Sequence, residues 1–257
     1  MRELTLLHTS DVHLDDRVDE TRPSTGQLGF MSVIDKALEL DVDMLLLAGD
    51  LFDHNRVKEA CLGFASEQLA RLSCPVVMIT GNHDCLASYS IYHKYDPCEA
   101  GSHIHFIRDL DGTTLDFPDL GLRVWGKSMF DHHPENKPLA GLPVERRDDF
   151  WMLGMAHGYL VDRGATMFSS LITPEEIAAS GLDYLAMGHV HVYQSVVHGD
   201  TCAAYCGSPN LEQGAREMTA AHITLDPATG VTVAPIYLDI NPDKTVVEPG
   251  HASVGLY

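Results

Sequence analysis

Ten side chains that can bind metal ions or move protons fall in five short segments of this sequence. The segments are Asp11-Val12-His13, Gly49-Asp50-Leu51-Phe52-Asp53, Gly81-Asn82-His83-Asp84, His157-Gly158 and Gly188-His189-Val190-His191. In extended chain, residues i and i+2 point the same way, so Asp11 and His13 can face one site, as can His189 and His191. The glycines allow tight turns and close approach of the backbone. Mixed carboxylate and imidazole ligands suit manganese, iron or zinc better than calcium, and a set without cysteine argues against a structural zinc. Asp50 is a natural bridge, since one carboxylate offers two oxygens to two cations. Taken singly, a His after a strand is more often a hydrogen-bonded surface or core residue, and a Gly-Asp pair is more often a turn. The weight comes from five coincidences in order at comparable places. His8, His93, His103, His105, His132, His133, His198, His222 and His251 read as structural or surface residues, and His54, beside Asp53, is the exception most apt to join the site.

Each segment follows an apolar run that can carry it. Leu4–His8, Met44–Ala48 and Val76–Thr80 read as buried strands that end at the first three segments. Between them, residues 29–40 show helical apolar spacing at Phe30, Val33, Ile34, Ala37 and Leu38, and residues 57–72 read as a second helix. This β-α-β-α-β order implies a parallel sheet covered by helices. Leu122–Trp125, Trp151–Ala156 and Tyr184–Met187 read as further strands, with a short helix beginning near Thr173-Pro174-Glu175-Glu176. Two late strands, near 219–225 and 231–238, flank the turn Asp226–Gly230. Ligands of open α/β sheets lie at the carboxyl ends of the strands. The spacing therefore predicts all five segments at one end of the molecule, with Asp11 and His189 together.

Composition sets the outer bounds. The chain has 257 residues, 45% of them apolar, enough for one large globular domain. No run approaches the roughly 18 apolar residues of a membrane span. The N-terminus lacks the pattern of a secretory signal. The six cysteines are dispersed and form no CxxC pair, which fits reduced thiols in the cytoplasm. The formal charge of −20 disfavours nonspecific nucleic-acid binding unless positive charge is concentrated locally. Residues 123–163 hold six basic and six acidic residues, a neutral stretch that reads as a solvated mixed-charge loop or as a substrate rim. The expected organisation is one domain over 1–240 and a tail or strap over 241–257.

The set D-x-H, G-D-x-x-D, G-N-H-D, H-G and G-H-x-H, complete over residues 4 to 238, resembles the calcineurin-like metallophosphoesterase superfamily. That resemblance implies a four-layer αββα sandwich, with two mixed β-sheets flanked by helices. It implies that Asp11, His13, Asp50 and His191 hold one divalent metal and that Asp50, Asn82, His157 and His189 hold another. Manganese is expected, with iron or zinc as substitutes, and a hydroxide bridging the metals would attack phosphorus. His83 matches the family's catalytic histidine, which protonates the leaving oxygen, and Asp53 matches a residue that supports it. His8–Leu14, Gly49–Asp53 and Tyr205-Cys206-Gly207-Ser208-Pro209-Asn210 are similar to the SbcD-type exonuclease branch. The chain stops before that branch's capping domain and ATPase-binding segment, so a coiled-coil ATPase partner is not expected. Two substrate readings stand side by side, a nuclease and a phosphodiesterase or phosphatase for a small nucleotide or metabolite. A non-enzymatic scaffold ranks below both, because it needs neither the complete ligand set nor His83.

Overall fold

In the computed structural model, residues 2–16, 23–133, 135–143, 146–147, 149–161 and 170–239 are described. The tail read over 241–257 lies outside them, as do Glu145, Asp148, Asp162 and Arg163 of the neutral stretch.

The first sheet grows from β1 (Leu4–Thr9), β2 (Met44–Ala48), β3 (Val76–Ile79) and β4 (Ile104–Phe106), which run parallel. Between β1 and β2 lies α1 (Thr25–Glu39), and between β2 and β3 lies α2 (Glu59–Leu69). The second sheet takes β5 (Thr113–Phe117), β6 (Leu122–Gly126) and β7 (Trp151–His157). After the small pair β8 (Tyr159–Leu160) and β9 (Leu171–Ile172) come α3 (Pro174–Ala178), β10 (Tyr184–Gly188), β11 (Tyr193–His198) and β12 (Thr201–Cys206). The chain then returns to the first sheet as β13 (Thr219–Asp226) and β14 (Gly230–Tyr237). The sheet orders are β14-β13-β1-β2-β3-β4 and β11-β12-β10-β7-β6-β5. In the second sheet β12, β10, β7 and β6 are parallel, with antiparallel β11 and β5 at its edges.

Alternation along the strands builds three apolar layers. Met44, Leu46 and Ala48 of β2 face Leu153, Met155, Tyr184 and Ala186 between the sheets. Leu45 and Leu47 point the other way, onto Phe30, Val33 and Ile34 of α1 and Phe64 and Leu69 of α2. Met152, Leu185 and Met187 pack outward on Ile177 of α3, Leu182 and Phe150. Strands buried on both faces read as continuous apolar runs, which is why β2 is fully buried along its length. Two mixed sheets flanked by helices are thus present. The outer layer on the second sheet is thin among the described residues, formed by α3 and loops.

The helices begin where side chains cap them. Ser24 accepts from Gln27 N and Gln27 returns the bond, a capping box that starts α1 four residues before the apolar spacing does. Thr173 and Glu176 do the same for α3, with Pro174 in the first turn. β4, β5, β11 and β12 were not legible as strands. β4 has only three residues, and β5 and β11 are solvent-facing edges with mixed polarity.

The connection from β12 to β13 crosses α1 at a point of close approach. A Cβ on Gly29 would lie 2.0 Å from the Pro209 carbonyl oxygen. Gly63 of α2 faces open space. Gly29→Ala should cost roughly 1–3 kcal/mol by overpacking, lowering Tm by roughly 3–10 °C. Gly63→Ala should raise Tm slightly, because only helix propensity changes. Calorimetry on the two variants checks the pair, and equal shifts would contradict the close approach.

Candidate metal centre

The parallel strands of both sheets end at the same side of the sandwich. β1 delivers Asp11 and His13, β2 delivers Asp50 and Asp53, and β3 delivers Asn82 and His83. From the second sheet β7 ends at His157 and β10 leads to His189 and His191. The two halves touch directly: His189 N donates to both Asp11 carboxylate oxygens at 3.2 and 3.0 Å. Asp11 and His189 therefore lie together, as the spacing predicts.

The heteroatoms fall into two clusters. In the first, His191 Nε2 lies 3.4 Å from Asp11 Oδ1 and 3.3 Å from His13 Nε2. In the second, Asn82 Oδ1 lies 3.2 Å from His157 Nε2 and 2.8 Å from His189 Nδ1. Asp50 Oδ2 joins them, 3.3 Å from His157 Nε2 and 3.9 Å from His13 Nε2. The other oxygen, Oδ1, accepts from His83 N at 2.8 Å. One oxygen of Asp50 rather than two thus faces both clusters.

Three backbone carbonyls set the imidazole tautomers, since a carbonyl can only accept. His157 Nδ1 donates to Ala48 O at 2.8 Å, which leaves Nε2 for the cluster. His191 Nδ1 donates to Gln213 O, and His83 Nδ1 donates to Asp53 O at 2.8 Å. Metal-ligating histidines are held in this way. Asp53 Oδ1 also lies 3.2 Å from His13 Nδ1 and 3.5 Å from His83 Nδ1. His83, with 39% of its side chain exposed, is the open member of the group.

Burial and charge oppose each other throughout. Burial pushes the Asp11 carboxyl up, but its contact with His191 and the charges of His157, His191 and His13 outweigh this and hold it well below the carboxylate range. Burial disfavours the charged form of His157 too, yet the neighbouring Asp50 carboxylate raises it to about 9. His189 goes the other way, to about 4, through burial and the charge of His157. Its Nε2 is buried without a hydrogen-bond partner. Two buried carboxylates ringed by imidazole nitrogens fit divalent cations. Three overlapping groups have ligand atoms within 4.8 Å of one another: Asp11, His13 and His191; Asp11, Asp50 and His157; and His13, Asp50 and His83. His54 is in none of them, and its Nδ1 accepts from Arg56 N at 3.2 Å.

Backbone conformation places the ligands. Asp11, His13, Asp50 and His189 all have left-handed φ, at 54°, 51°, 52° and 101°. Each costs on the order of 1–3 kcal/mol outside glycine, and such residues cluster at functional sites. The neighbouring glycines make room. A Cβ on Gly81 would lie 2.3 Å from Asp50 Oδ1, and one on Gly188 would lie 2.1 Å from Ala48 O.

Several supports were not assigned from sequence. Asp84 is fully buried and accepts from Leu51 N at 2.9 Å, Phe52 N at 3.3 Å, Gly81 N at 2.8 Å and Tyr92 Oη at 2.8 Å. It ties the loop after β2 to the loop after β3. Its place in Gly81-Asn82-His83-Asp84 was the available signal. Burial and the Asp50 charge raise its carboxyl to about 6, against the pull of those donors. Ser208 Oγ donates to Asp11 O at 2.7 Å, and Asn210 Nδ2 donates to Val12 O at 3.1 Å. The segment Tyr205–Asn210 thus clamps the Asp11 loop.

Two stacked mixed sheets thus carry a buried carboxylate and imidazole cluster at their shared end. The chain belongs to the calcineurin-like phosphoesterase family, whose model matches residues 4–193. It is 28% identical over 246 residues to the uncharacterized metallophosphoesterase YhaO of Bacillus subtilis, covering 87% of this chain and 58% of that protein. It is 27% identical over 226 residues to the DNA double-strand break repair protein Mre11 of Methanopyrus kandleri, covering 80% of this chain and 49% of that protein. The chain thus spans about half the length of these relatives. Among solved structures, GAP50 of Plasmodium superposes with a TM-score of 0.61 at 12% identity, covering 95% of this chain and 91% of that one. The purple acid phosphatase PPD1 of yellow lupin superposes with a TM-score of 0.58 at 13% identity, covering 93% and 53%. These two likenesses concern the fold alone.

A ligand must be deprotonated to bind metal, so binding competes with the proton on His157. Affinity for manganese should therefore rise roughly tenfold per pH unit across neutrality and level off near pH 9, where His157 loses its proton. Calorimetric titration in two buffers of different ionisation enthalpy should detect released protons at neutral pH. A pH-independent affinity would contradict this.

Proposed function

We propose that the protein is a phosphodiesterase with a dinuclear metal centre, related in mechanism to the repair nucleases. The single observation that carries the reading is Asp50 Oδ2, which faces both ligand clusters at once. Asp11, His13, Asp50 and His191 would hold one divalent ion, and Asp50, Asn82, His157 and His189 the other. Manganese suits the donor set, with iron or zinc as substitutes. Bound there, the ions supply positive charge against the phosphoryl oxygens and acidify water.

The residues do the rest. Asp11 and Asp50 hold negative charge in a buried place, which favours binding of divalent cations over monovalent ones. The carbonyls of Ala48 and Gln213 keep His157 and His191 in the ligating tautomer. His83 is fixed through Nδ1 on Asp53, so Nε2 is the nitrogen it has left to offer. It would stabilise charge on the phosphoryl group and give a proton to the leaving oxygen. His13, Asp50 and His83 also form a possible ligand group, so metal content separates an acid from a ligand at this position.

The substrate reading leans on two features. Relatives named for DNA double-strand break repair support phosphodiesters. The charge pattern supports short substrates over long duplex DNA. Arg123, Arg146 and Arg147 of the neutral stretch pair with Asp116, Asp183 and Asp149 at 2.6–2.8 Å near the starts of β6, β7 and β10, away from the ligand-bearing strand ends, so they supply no positive charge there. A small nucleotide or the end of a strand asks less of that surface than a duplex does. The six cysteines are all free, which agrees with a cytoplasmic setting.

Asp50→Asn should remove charge from both clusters, so metal content should fall and hydrolysis should collapse. Two retained metals with normal turnover would contradict the bridging role. His83→Gln should keep both metals and lose on the order of 10²–10⁴ in rate on an ester releasing an alkyl alcohol. The loss should be smaller on one releasing a nitrophenol, which needs little protonation. Equal losses on both, with metal lost, would make His83 a ligand. With manganese at physiological salt, a nitrophenyl diester and a dinucleotide should be cleaved faster than long duplex DNA, and the reverse order would overturn the substrate reading.

A further inference from the structure

Gln213 touches both ends of the centre and belongs to neither ligand cluster. It ends the short turn Leu211–Gln213. Asn210 builds that turn: its Oδ1 accepts from Glu212 N at 3.1 Å, while its Nδ2 is anchored on Val12 O. Gly214, with φ at 83°, turns the chain away. The turn is thereby tied to the segment that carries Asp11 and His13. From this position the Gln213 carbonyl accepts from His191 Nδ1, and the side-chain Nε2 donates to Asp53 Oδ1 at 3.1 Å.

We propose that Gln213 is a positioning residue for the reaction: its amide fixes the Asp53 carboxylate as a charge beside His83, whose Nδ1 is already held by the Asp53 carbonyl. The inference rests on the reading of His83 as the acid. The terminal torsion of an aspartate is broad, so contacts decide where its oxygens point. Asp53 Oδ1 is shared between His13 Nδ1 at 3.2 Å and His83 Nδ1 at 3.5 Å. With those two alone, the carboxylate can turn toward one imidazole at the expense of the other. The amide N–H of Gln213 approaches the same oxygen from a separate segment and holds it between them. The two contacts of Gln213 are separable by substitution. A changed side chain keeps the carbonyl that serves His191 and removes only the bond to Asp53.

The test compares Gln213→Ala and Gln213→Met, the second of which keeps the length of the side chain but has no N–H. Both should lower kcat on an alkyl phosphodiester on the order of tenfold, the loss typical of a supporting hydrogen bond. KM, metal content and Tm should stay near wild type, and the loss on a nitrophenyl diester should be smaller. In a His83→Gln background neither change should lower the rate further, since both act through the same group. Additive losses would overturn the proposal, as would a Gln213→Met variant with the wild-type rate, which would mark a packing role. A second readout does not need turnover. In the zinc-loaded protein, Gln213→Met should shift the imidazole ¹⁵N resonances of His83, because the carboxylate charge beside it moves, while the Nδ1–H held by the Asp53 carbonyl is kept. An unchanged His83 spectrum overturns the proposal. If the wild-type protein hydrolyses neither ester, the proposed function falls, and the NMR comparison alone decides the role of Gln213.

Discussion

Two carboxylates buried side by side govern the rest of this molecule. Asp11 and Asp50 have essentially no exposure, and both lie within reach of the same imidazoles. Like charges removed from water repel strongly, and each also forfeits its hydration. Such a pair persists only where positive charge or several donors answer it. The protein provides some of that answer itself: His189 N and Ser10 Oγ donate to Asp11, and His83 N donates to Asp50. The histidines provide more, at the cost of holding protons that a ligand must give up. Divalent cations answer the whole charge at once. The centre is therefore unfavourable by its own local accounting, and the surrounding fold has to hold it in place.

That holding is done by structure remote from the chemistry. The two sheets stack through apolar faces such as Met44 and Leu46 against Leu153 and Tyr184, which brings β2 beside β7 and β10. Stacking places Ala48 O under His157 Nδ1, so a bond across the sandwich sets the tautomer of His157. Asp84 then joins the loops after β2 and β3, and Tyr205–Asn210 closes over the loop after β1. With the loops fastened from behind, four non-glycine residues can keep left-handed backbone. Strain of this kind survives only where neighbouring contacts over-determine it.

Much of this was legible in the sequence, for identifiable reasons. β2 and β10 are doubly buried and carry unbroken apolar runs, and each ends at glycine followed by a residue of the centre, Asp50 or His189. Their position and their cargo are thus written in adjacent residues. Gln213 and Asp84 show the opposite case. Asp84 bonds to backbone groups of Leu51 and Phe52, and Gln213 meets Asp53, about 160 residues away in the chain. No local pattern records such pairings, because they depend on how two loops meet in space. The left-handed φ of Asp11, His13 and Asp50 was equally hidden. The i, i+2 argument assumed extended chain, yet Asp11 and His13 converge through turns. The side chains meet as expected, by a different backbone route.

The same distinction explains why reaction class and substrate separate so cleanly here. The reaction class depends on groups that must be buried, strained and fastened, and each requirement leaves a mark on residue type: glycine for space, aspartate and histidine for charge. The substrate depends on the rim, where none of these pressures acts. His83 is the point of contact between the two, half open to solvent yet held through Nδ1 by the interior. Away from it, near the start of β6, charged side chains such as Arg123 and Asp116 satisfy each other and are free to vary without disturbing the centre. A surface of mutually paired charges exerts little field at a distance, so it neither draws in a long polyanion nor excludes a small one. Selectivity therefore has to come from shape and from short-range contacts beside His83.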